Sequence, residues 1–490
     1  MGPSAGDRLR TRRMALPGVA SLILLVSTAM LVGAEVPARG VGARTCGALI
    51  SFAPEATSGL PSSTTVTPLQ VSGFVHAYSD RWAPDETTDT EQYLDIVLSD
   101  ATLVVQVTND QDDVGPPAVA QYPIETIVVA WAGPDQVDLG RWNNIEYATF
   151  DVAGHPVLPI TQVTDIGPAE YGDEILTADP VPAVGPTNGN VLLAWRLLWD
   201  YAGPSPIITE IYSAVRGTDG AEIRGPSLIA SAEAHERGFL SGPAAAAFRN
   251  GFFLVAWSVD YSFEHGDIHY VVLDRTGDLR LSPTNLTNNP VGQNDGDVRA
   301  TRLASGHVLL TWTGQHGLGQ QIYYAVLDSA GRLVHAPSRV SDAPNGAGGS
   351  DAVGFLSGNI IVAWEQSGDQ AGESQIAYAM LNETYTTTLP LPMATRLLTN
   401  TLEAENYAVS LARDADDNAV LTWQGGGDQY LYAAVVGNDG LVRSGPEVLR
   451  EAHGTSLSVG VTGTGCGSLP TAVRPLALCY LPLVSDNSGR

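Results

Sequence analysis

A short run of β-branched and aliphatic residues that ends in Ala-Trp or Thr-Trp recurs six times along this chain of 490 residues. The six tryptophans are Trp131, Trp195, Trp257, Trp312, Trp364 and Trp423. Their spacings are 64, 62, 55, 52 and 59 residues, and a repeat of this period is typical of propellers, solenoids and repeat arrays. The chain is therefore predicted to fold as a series of similar units.

Two turn positions recur at fixed distances from each tryptophan. Four copies have glycine six residues before the tryptophan, and the other two copies have Asp417 and Glu125 there. Downstream, an apolar residue precedes a glycine by nine positions in five copies, and the remaining copy has Tyr385 at the glycine position. Glycine and aspartate favour tight turns, so the pattern predicts successive hairpins.

The fourth copy shows the predicted unit most clearly, as four strands at 297–304, 307–312, 321–328 and 332–340. These runs are rich in Val, Ile, Leu, Tyr and Thr and are bounded by Gly, Asp, Asn and Ser, which indicates an antiparallel meander. The segment 307–312 is nearly all apolar, so both of its faces are expected to be buried. This is the pattern of a propeller blade.

A seventh unit is predicted near the N-terminus. Segment 93–107 resembles the third and fourth strands of the fourth copy, and Gly73–Tyr78 takes the place of the tryptophan strand. Tyr78 lies 53 residues before Trp131, which fits the period. The predicted fold is therefore an all-β propeller of seven four-stranded blades, with six blades as the alternative. Tandem sandwiches are disfavoured, because one unit of about 50 residues is too small to bury a two-sheet core.

The six repeat tryptophans are predicted to pack between blades. A buried indole removes about 150–250 Å² from water. At about 25 cal/mol per Å², this burial is worth at most roughly 4–6 kcal/mol. The tryptophans are thus expected to hold the fold together, and a role in stacking on a ligand is the less favoured interpretation.

The chain divides into four predicted segments. Residues 1–34 are predicted to be an export signal, residues 35–64 a linker or loosely packed segment, residues 65–454 the propeller, and residues 455–490 a ring-closing strand with a C-terminal tail. The linker prediction rests on a composition rich in Pro, Ala, Gly, Ser and Thr. The sequence TSLSVGV in the last segment has the pattern of a strand that completes the first blade.

The export signal is predicted from four arginines that precede an apolar run and from a small-residue cleavage site at Val32-Gly33-Ala34. Part of it, Thr11–Leu16, resembles a twin-arginine signal, so the export route stays open. The apolar run is short for a membrane span, and no later segment is long enough to anchor the chain. The mature protein is expected to be secreted or at the cell surface, with no membrane span.

The chain has 53 acidic and 25 basic residues, a net charge of −28, and no lysine. Such a surface repels nucleic acid and anionic lipid, which argues against both as partners. The lack of lysine also excludes Schiff-base chemistry and a phosphate-binding P-loop lysine. No dinucleotide-binding fingerprint or zinc-protease motif is present, and no cofactor is predicted to be required.

The three cysteines, Cys46, Cys466 and Cys479, lie on either side of the predicted propeller. Disulfides form outside the cytoplasm. Cys46 is therefore expected to pair with Cys466 or Cys479 and join the two ends of the ring. A local pair between Cys466 and Cys479 is the competing prediction.

The segments that follow the tryptophans differ most between copies, and loops of variable length on a constant scaffold often carry function. They contain the predicted ligand-binding residues Asp135, Asp200, Asp260, Glu264, Glu365, Asp369 and Asp428. Simple solvation of an acidic protein is the competing explanation. Two such groups facing each other have the chemistry of a glycosidase acid and base, but the sequence does not assign the pair.

Calcium is the one metal for which the sequence offers candidate ligands. The candidate ligands lie in clusters of Asp and Asn at 109–113 and 294–297, and they are Asp110, Asp112, Asp295 and Asp297. Clustered oxygens suit calcium, but neither cluster has the spacing of an EF-hand loop. Turn formation is the favoured explanation for both.

The repeat units GFFLVAW with IHYVVLDRTGDL, and GHVLLTW with IYYAVLDSAGRL, resemble a Gly-x-x-Val-x-Trp repeat of large secreted bacterial proteins. The resemblance covers roughly residues 120–450. It implies a secreted or surface propeller module, in some cases associated with calcium, and it implies no activity. Sialidases are also propellers, but their Ser-x-Asp-x-Gly-x-x-Trp box is missing from every repeat here, and the tryptophan-docking signature of quinone-dependent dehydrogenases is not matched.

The leading functional prediction is an exported, non-catalytic β-propeller that binds a carbohydrate, a protein or a cell-surface component through its loop face. The first alternative is a glycoside hydrolase or lyase that uses acidic loop residues. The second alternative is a structural component of the cell envelope. The expected partner is an extracellular glycan or protein.

Overall fold

Alternating and fully apolar runs of this sequence form antiparallel strands. The computed structural model describes residues 74–82, 93–99, 104–107, 117–121, 126–134, 142–151, 155–165, 174–200, 207–233, 239–262, 265–317, 319–368, 373–387, 394–399, 406–414, 416–425, 430–451 and 457–461. Every long regular element in this part of the chain is a β-strand, so the all-β prediction is confirmed. No helix in the same residues could cross a membrane. The predicted signal, the linker and the three cysteines lie outside the described residues.

The described strands pair into six sheets, five of four strands and one of nine. The nine-stranded sheet consists of two antiparallel halves joined by a short parallel pair, in which His265 and Gly266 lie opposite Gln293 and Asn294. Counting these halves separately gives seven meanders, numbered in chain order. Meander 1 consists of β1 (Phe74–Trp82), β2 (Tyr93–Ser99), β3 (Val104–Gln106) and β29 (Leu457–Val461). Meander 2 consists of β4 (Ala118–Gln121), β5 (Thr126–Pro134), β6 (Trp142–Asp151) and β7 (Pro156–Gln162). Meander 3 consists of β8 (Glu174–Val184), β9 (Val191–Asp200), β10 (Ile208–Arg216) and β11 (Glu222–Glu233).

The later meanders follow the same plan. Meander 4 consists of β12 (Phe239–Leu240), β13 (Ala244–Ala247), β14 (Phe253–Ser262), β15 (His265–Leu273) and β16 (Leu279–Asn285). Meander 5 consists of β17 (Gln293–Arg302), β18 (Val308–Gln315), β19 (Gln320–Leu327) and β20 (Leu333–Arg339). Meander 6 consists of β21 (Ala347–Gly354), β22 (Ile360–Ser367), β23 (Ser374–Leu381) and β24 (Arg396–Leu397). Meander 7 consists of β25 (Asn406–Arg413), β26 (Asn418–Gly425), β27 (Tyr430–Gly437) and β28 (Val442–Glu451).

Six of the meanders have a tryptophan on the second long strand, and each of these indoles is at most 1% exposed. Four of the indoles stack on an aromatic ring of the next strand, for example Trp195 on Tyr212 with ring centroids 6.0 Å apart. Trp364 packs with Leu309 and Ile322 of meander 5. The tryptophans therefore fill the space between neighbouring sheets.

The turns have the backbone geometry that the repeat pattern requires. Gly306 and Gly331 in meander 5 have φ angles of 89° and 74°. Where the pattern substitutes another residue, the angle is kept, with φ 60° at Asp417 and 61° at Tyr385. This left-handed region costs a residue with a side chain more than it costs glycine, so the backbone geometry explains the glycine preference.

The first strands of the meanders lie next to one another in a series that returns to its start. Strands β4, β8, β13, β17, β21 and β25 each contact the next, and β29 contacts both β25 and β4. Strand β29 also pairs antiparallel with β1, so meander 1 combines segments from both ends of the described chain. A cavity of about 610 Å³, here called the central cavity, is lined by the first strands of meanders 2 to 7.

The strands extend further past the tryptophan than the sequence predicts. In meander 5, β18 continues to Gln315 because Gly314 and Gln315 still pair with Asp295 and Asn294 of β17. β17 begins four residues before the predicted start, at Gln293. The residues that follow each tryptophan thus belong to the sheet, at the end of the second strand.

Candidate functional site

This extension changes the environment of the predicted ligand-binding residues. Asp260 lies on β14 and Glu365 on β22, so neither is a loop residue as predicted. Asp200 ends β9, and its side chain is outside the described part. The remaining candidates, Asp135, Glu264, Asp369 and Asp428, lie outside the described residues. Two of the seven candidate side chains can therefore be placed.

Glu365 points between meanders 6 and 7. Successive side chains of a strand face opposite sides of the sheet. Trp364 packs against meander 5, so the next residue faces meander 7. There Oε1 of Glu365 accepts a hydrogen bond of 2.5 Å from the N–H of Ala408. Close approach is also required at Gly349, where a Cβ would lie 2.5 Å from Oε1.

The environment of Glu365 favours the protonated carboxyl. Burial raises its pKa to about 7, and the negative charge of Asp297 adds to the increase. The hydrogen bond from Ala408 and the charge of Arg299 act in the opposite direction. Desolvation is the largest effect, because the charged form loses water that the neighbouring sheet does not replace. The side chain therefore holds its proton up to neutral pH.

A second carboxyl, Asp351, shares the sheet face of Glu365. Asp351 lies opposite Ala363, two residues before Glu365 on β22. A rise of about 3.3 Å per residue and a strand spacing of about 4.8 Å place the two Cα atoms roughly 8 Å apart. The N–H groups of Leu411 and Ala352 donate to Asp351 at 2.7 and 2.8 Å. Burial raises the pKa of Asp351 to about 6 against these hydrogen bonds.

Asp297 and Arg299 complete the candidate site from meander 5. A β-bulge in β17 between Gly296 and Arg299 puts Asp297 at φ 51°. Bulges often redirect side chains next to active sites. Arg299 Nη2 lies 3.5 Å from Asp297 Oδ1, and both side chains are about half exposed. The site thus combines a solvent-accessible ion pair with two less accessible carboxyls.

The repeat itself does not require these charges. The residue after the tryptophan is acidic in one copy, and the six residues are Ala132, Arg196, Ser258, Thr313, Glu365 and Gln424. A position on the first strand varies in the same way, namely the residue that pairs with the one immediately before the tryptophan. In the six copies it is Ala118, Val181, Ala244, Arg299, Asp351 and Ser410. The charges at Arg299, Asp351 and Glu365 are therefore specific to meanders 5 and 6, and the first two were missed by the sequence reasoning.

Asp260 lies apart from this site, on β14 opposite Gly266. Burial raises the pKa of its carboxyl. A Cβ at Gly266 would meet Asp260 Oδ1 at 2.9 Å, so the carboxyl packs closely on the neighbouring strand. The structure does not bring Asp260 and Glu365 into one cluster.

The calcium candidates Asp295 and Asp297 serve other contacts in this structure. Asp295 is fully buried, accepts a hydrogen bond of 2.7 Å from Asn289 Nδ2, and lies 2.8 Å from His316 Nε2. Asp297 pairs with Arg299. Asp110 and Asp112 lie outside the described residues. Within the described ranges, no three His, Cys, Asp or Glu side chains converge as metal ligands. Calcium binding stays a prediction.

No protein-family model and no curated protein matches this chain. Solved structures do resemble it. Puromycin hydrolase matches with a TM-score of 0.48 and 13% identity over 78% of this chain and 53% of its own, so the chain spans about half the length of that enzyme. The Penicillium chrysogenum α-L-arabinanase with arabinobiose matches with a TM-score of 0.38 and 15% identity over 66% and 93% of the two chains. The Ruminococcus gnavus intramolecular trans-sialidase matches with a TM-score of 0.42 and 10% identity over 63% and 89%.

These comparisons correct the leading functional prediction. The sequence favoured a non-catalytic binding propeller, but the similar structures include an arabinanase, α-L-arabinofuranosidases and a trans-sialidase, all of which are enzymes. The prediction of a non-catalytic protein is therefore contradicted by the comparisons. Because the TM-scores of these structures are below 0.5, the residues and chemistry of any reaction have to come from Glu365 and its neighbours.

Proposed function

We propose that this chain is a seven-bladed β-propeller that acts as a glycoside hydrolase outside the cytoplasm. The blade number is supported by the seven meanders and by the series of first-strand contacts that returns to its start through β29. Export rests on the sequence pattern of residues 1–34. The resemblance of its repeats to those of secreted bacterial proteins agrees with this location.

The proposed general acid is Glu365. Glycoside hydrolysis needs one carboxylic acid that protonates the leaving oxygen and one carboxylate that acts as base or nucleophile. A general acid works best when its pKa lies near the working pH, and burial raises the pKa of Glu365 to about 7. The hydrogen bonds among the described residues use Oε1 alone, which leaves Oε2 to donate its proton to a substrate.

Asp297 is the proposed second carboxylate. It is close enough to Glu365 to raise the pKa of that group, and it forms an ion pair with Arg299. Either it attacks the anomeric carbon, or it takes a proton from a water that does so. Retention of configuration goes with carboxyl groups about 5–5.5 Å apart and inversion with about 6.5–9.5 Å. The stereochemistry of the product therefore reports the separation in the working enzyme.

Asp351 has a positioning role in this proposal. Its two oxygens accept the N–H groups of Ala352 and Leu411, so it ties β21 to β25. Ala408, which holds Glu365, lies on the same strand β25 three residues before Leu411. The hydrogen bond from Leu411 to Asp351 thus holds β25 at the distance from β21 at which the N–H of Ala408 can donate to Glu365. The observation that carries the proposal is the largely buried carboxyl of Glu365, which accepts the N–H of Ala408 and lies close enough to the exposed Asp297 for that charge to raise its pKa.

The first test is activity on aryl glycosides, with arabinofuranosides and sialosides in the panel because the similar structures act on those sugars. Glu365→Gln is expected to lower kcat about 10²–10⁴-fold on substrates with poor leaving groups, the usual contribution of general acid catalysis. The loss should be much smaller with a dinitrophenyl leaving group, which departs without protonation. Asp297→Asn should be slow on both kinds of substrate.

Glu383→Gln is the matched control, because Glu383 is exposed in the turn after β23 and lies outside the site. It should leave kcat unchanged. A Glu365→Gln protein that hydrolyses poor and good leaving groups as fast as the unaltered chain would contradict the proposed acid. Product masses separate hydrolysis from elimination, so a lyase reaction would be recognised in the same assay.

A further inference from the structure

Three arginines line the end of the central cavity that is remote from Glu365. Arg302 and Arg413 are the last residues of β17 and β25, and Arg249 lies two residues after β13. All three line the central cavity. Arg302 is five residues beyond Asp297, which corresponds to roughly 16 Å along the strand. This arginine end is therefore separate from the proposed catalytic carboxyls.

The repeat explains why these side chains share one opening. Arg302, Gly354 and Arg413 occupy equivalent positions in meanders 5, 6 and 7, each opposite the residue that lies four before the repeat tryptophan. The middle position has no side chain, and Arg413 Nη1 reaches the carbonyl oxygen of Gly354 at 3.4 Å. Two guanidinium groups thus lie on either side of a bare backbone segment.

The arginines have little acidic compensation, although the chain has 53 acidic residues and 25 basic ones. Among the described residues, Arg302 forms no ion pair, and the charges that act on it come from Arg413. Asp417 lies 3.8 Å from Arg413 and forms an ion pair with it. Within the described residues, the three arginines thus have one carboxylate partner, and Arg302 and Arg249 form no ion pair.

The walls of the cavity do not supply the missing charge. Of the lining residues, Asp351 alone is acidic, and backbone N–H groups occupy its oxygens. Most of the other lining residues are small and apolar, including Ala247, Ala300 and Ala304. Burial and the repulsion of Arg413 lower the pKa of Arg302, so its charged form is held at a cost. Arg302 is nevertheless exposed to solvent, so an anion from solution can reach its guanidinium group.

We propose that the arginine end of the central cavity binds an oxyanion, the sulfate, phosphate or carboxylate group of a ligand. Guanidinium groups present planar, bidentate donors that match these groups. Arg302 and Arg413 supply the principal contacts, and Arg249 approaches from meander 4. The site stands apart from the proposed hydrolase activity, because Asp297 lies roughly 16 Å from Arg302 along β17 and Glu365 lies opposite Gly348, near the start of β21.

The test is isothermal titration calorimetry of the full chain with sodium sulfate, sodium phosphate and sodium glucuronate, each at constant ionic strength. We expect saturable binding of at least one, and the three probes separate inorganic anions from the carboxylate of a sugar. Arg302→Gln and Arg413→Gln should each raise Kd at least about tenfold, as the loss of a charged hydrogen bond does. Arg332→Gln, in the exposed turn after β19, should bind like the unaltered chain.

Melting temperatures without added anion give a second readout. Arg302→Gln is expected to melt at about the same temperature as the unaltered chain, because Arg302 is exposed and forms no ion pair within the described residues. The gain in melting temperature from saturating anion should be lost. If Arg413→Gln lowers the melting temperature because its contact with Gly354 is lost, the anion binding of Arg302→Gln alone decides whether the site exists. Glu365→Gln should bind the anions normally, so failure here and failure of the hydrolase proposal are distinguishable. Binding that both arginine variants retain, or no binding beyond that of sodium chloride, would overturn the site.

Discussion

Replacing Glu365 with glutamine should make the protein less sensitive to rising pH. Burial raises the pKa of this carboxyl from 4.5 to about 7. One pKa unit corresponds to about 1.36 kcal/mol, so a rise of about 2.5 units corresponds to roughly 3 kcal/mol, an upper value for a side chain that keeps some contact with water. Glutamine has the same shape and its oxygen accepts the N–H of Ala408 equally well. Gln424 shows that the equivalent position of meander 7 accommodates this residue.

The sign follows from the direction of the shift. A raised pKa in the folded state means that the protonated carboxyl stabilises the fold fully below pH 4.5, and that this stabilisation is lost as the pH rises to about 7. Glutamine cannot ionise, so the variant does not undergo this loss. The free energy of unfolding of Glu365→Gln minus that of the unaltered chain should therefore increase between pH 4.5 and pH 8, by at most roughly 3 kcal/mol.

Denaturant unfolding of both proteins at half-unit steps of pH measures this difference. Asp351 and every other acid titrate in both proteins, so their contributions cancel in the subtraction. Glu383→Gln, at an exposed position, should show a difference that is flat with pH. A flat difference for Glu365→Gln as well would refute the reasoning that burial keeps this carboxyl protonated.

Three further predictions concern the same site and the repeat. Asp297→Asn should shift the basic limb of the pH–rate profile to lower pH, because the negative charge that raises the pKa of Glu365 is gone, and an unshifted limb would show that the two groups do not interact. Trp423→Phe should cost about 1 kcal/mol more in unfolding free energy than Trp312→Phe, because the Trp423 indole N–H is hydrogen-bonded to a side chain and the Trp312 N–H has no such partner in the described residues. Equal losses in urea titrations would remove that argument. Gly331→Ala should destabilise by at least about 1 kcal/mol in the same titrations, since φ is 74° and a Cβ would contact a leucine of the neighbouring meander, and an unchanged midpoint would contradict it.

The periodic residues determine how much of the fold is predictable from sequence. The tryptophans and the turn glycines recur because each unit repeats the same burial and the same backbone angle. The sequence also picks out Glu365, since it is an acid directly after a repeat tryptophan. Its assignment to a loop was wrong because the pairing of β21 with β22 continues beyond Trp364.

The rest of the site depends on contacts between units, which a single repeat pattern does not contain. Asp351 gains its role from the N–H of Leu411, 60 residues later. Arg302 and Arg413 come together across an intervening unit that has Gly354 at the equivalent position. Sequence reasoning treats such charges one at a time, and as single residues on an acidic chain they look like ordinary surface groups.

The pairing of β29 with β1 means that the first sheet joins two parts of the chain that are far apart in sequence. Leu457 lies opposite Tyr78, so hundreds of residues are enclosed in one loop by this contact. Loop-closure entropy grows only logarithmically with length, and each doubling adds about 0.6 kcal/mol. The loop-closure entropy of this pairing therefore lowers the equilibrium stability only slightly, but contacts between residues so far apart in sequence form slowly. A circular permutant that begins at a turn between other meanders would build this sheet from one continuous segment, and its last step of folding would be faster.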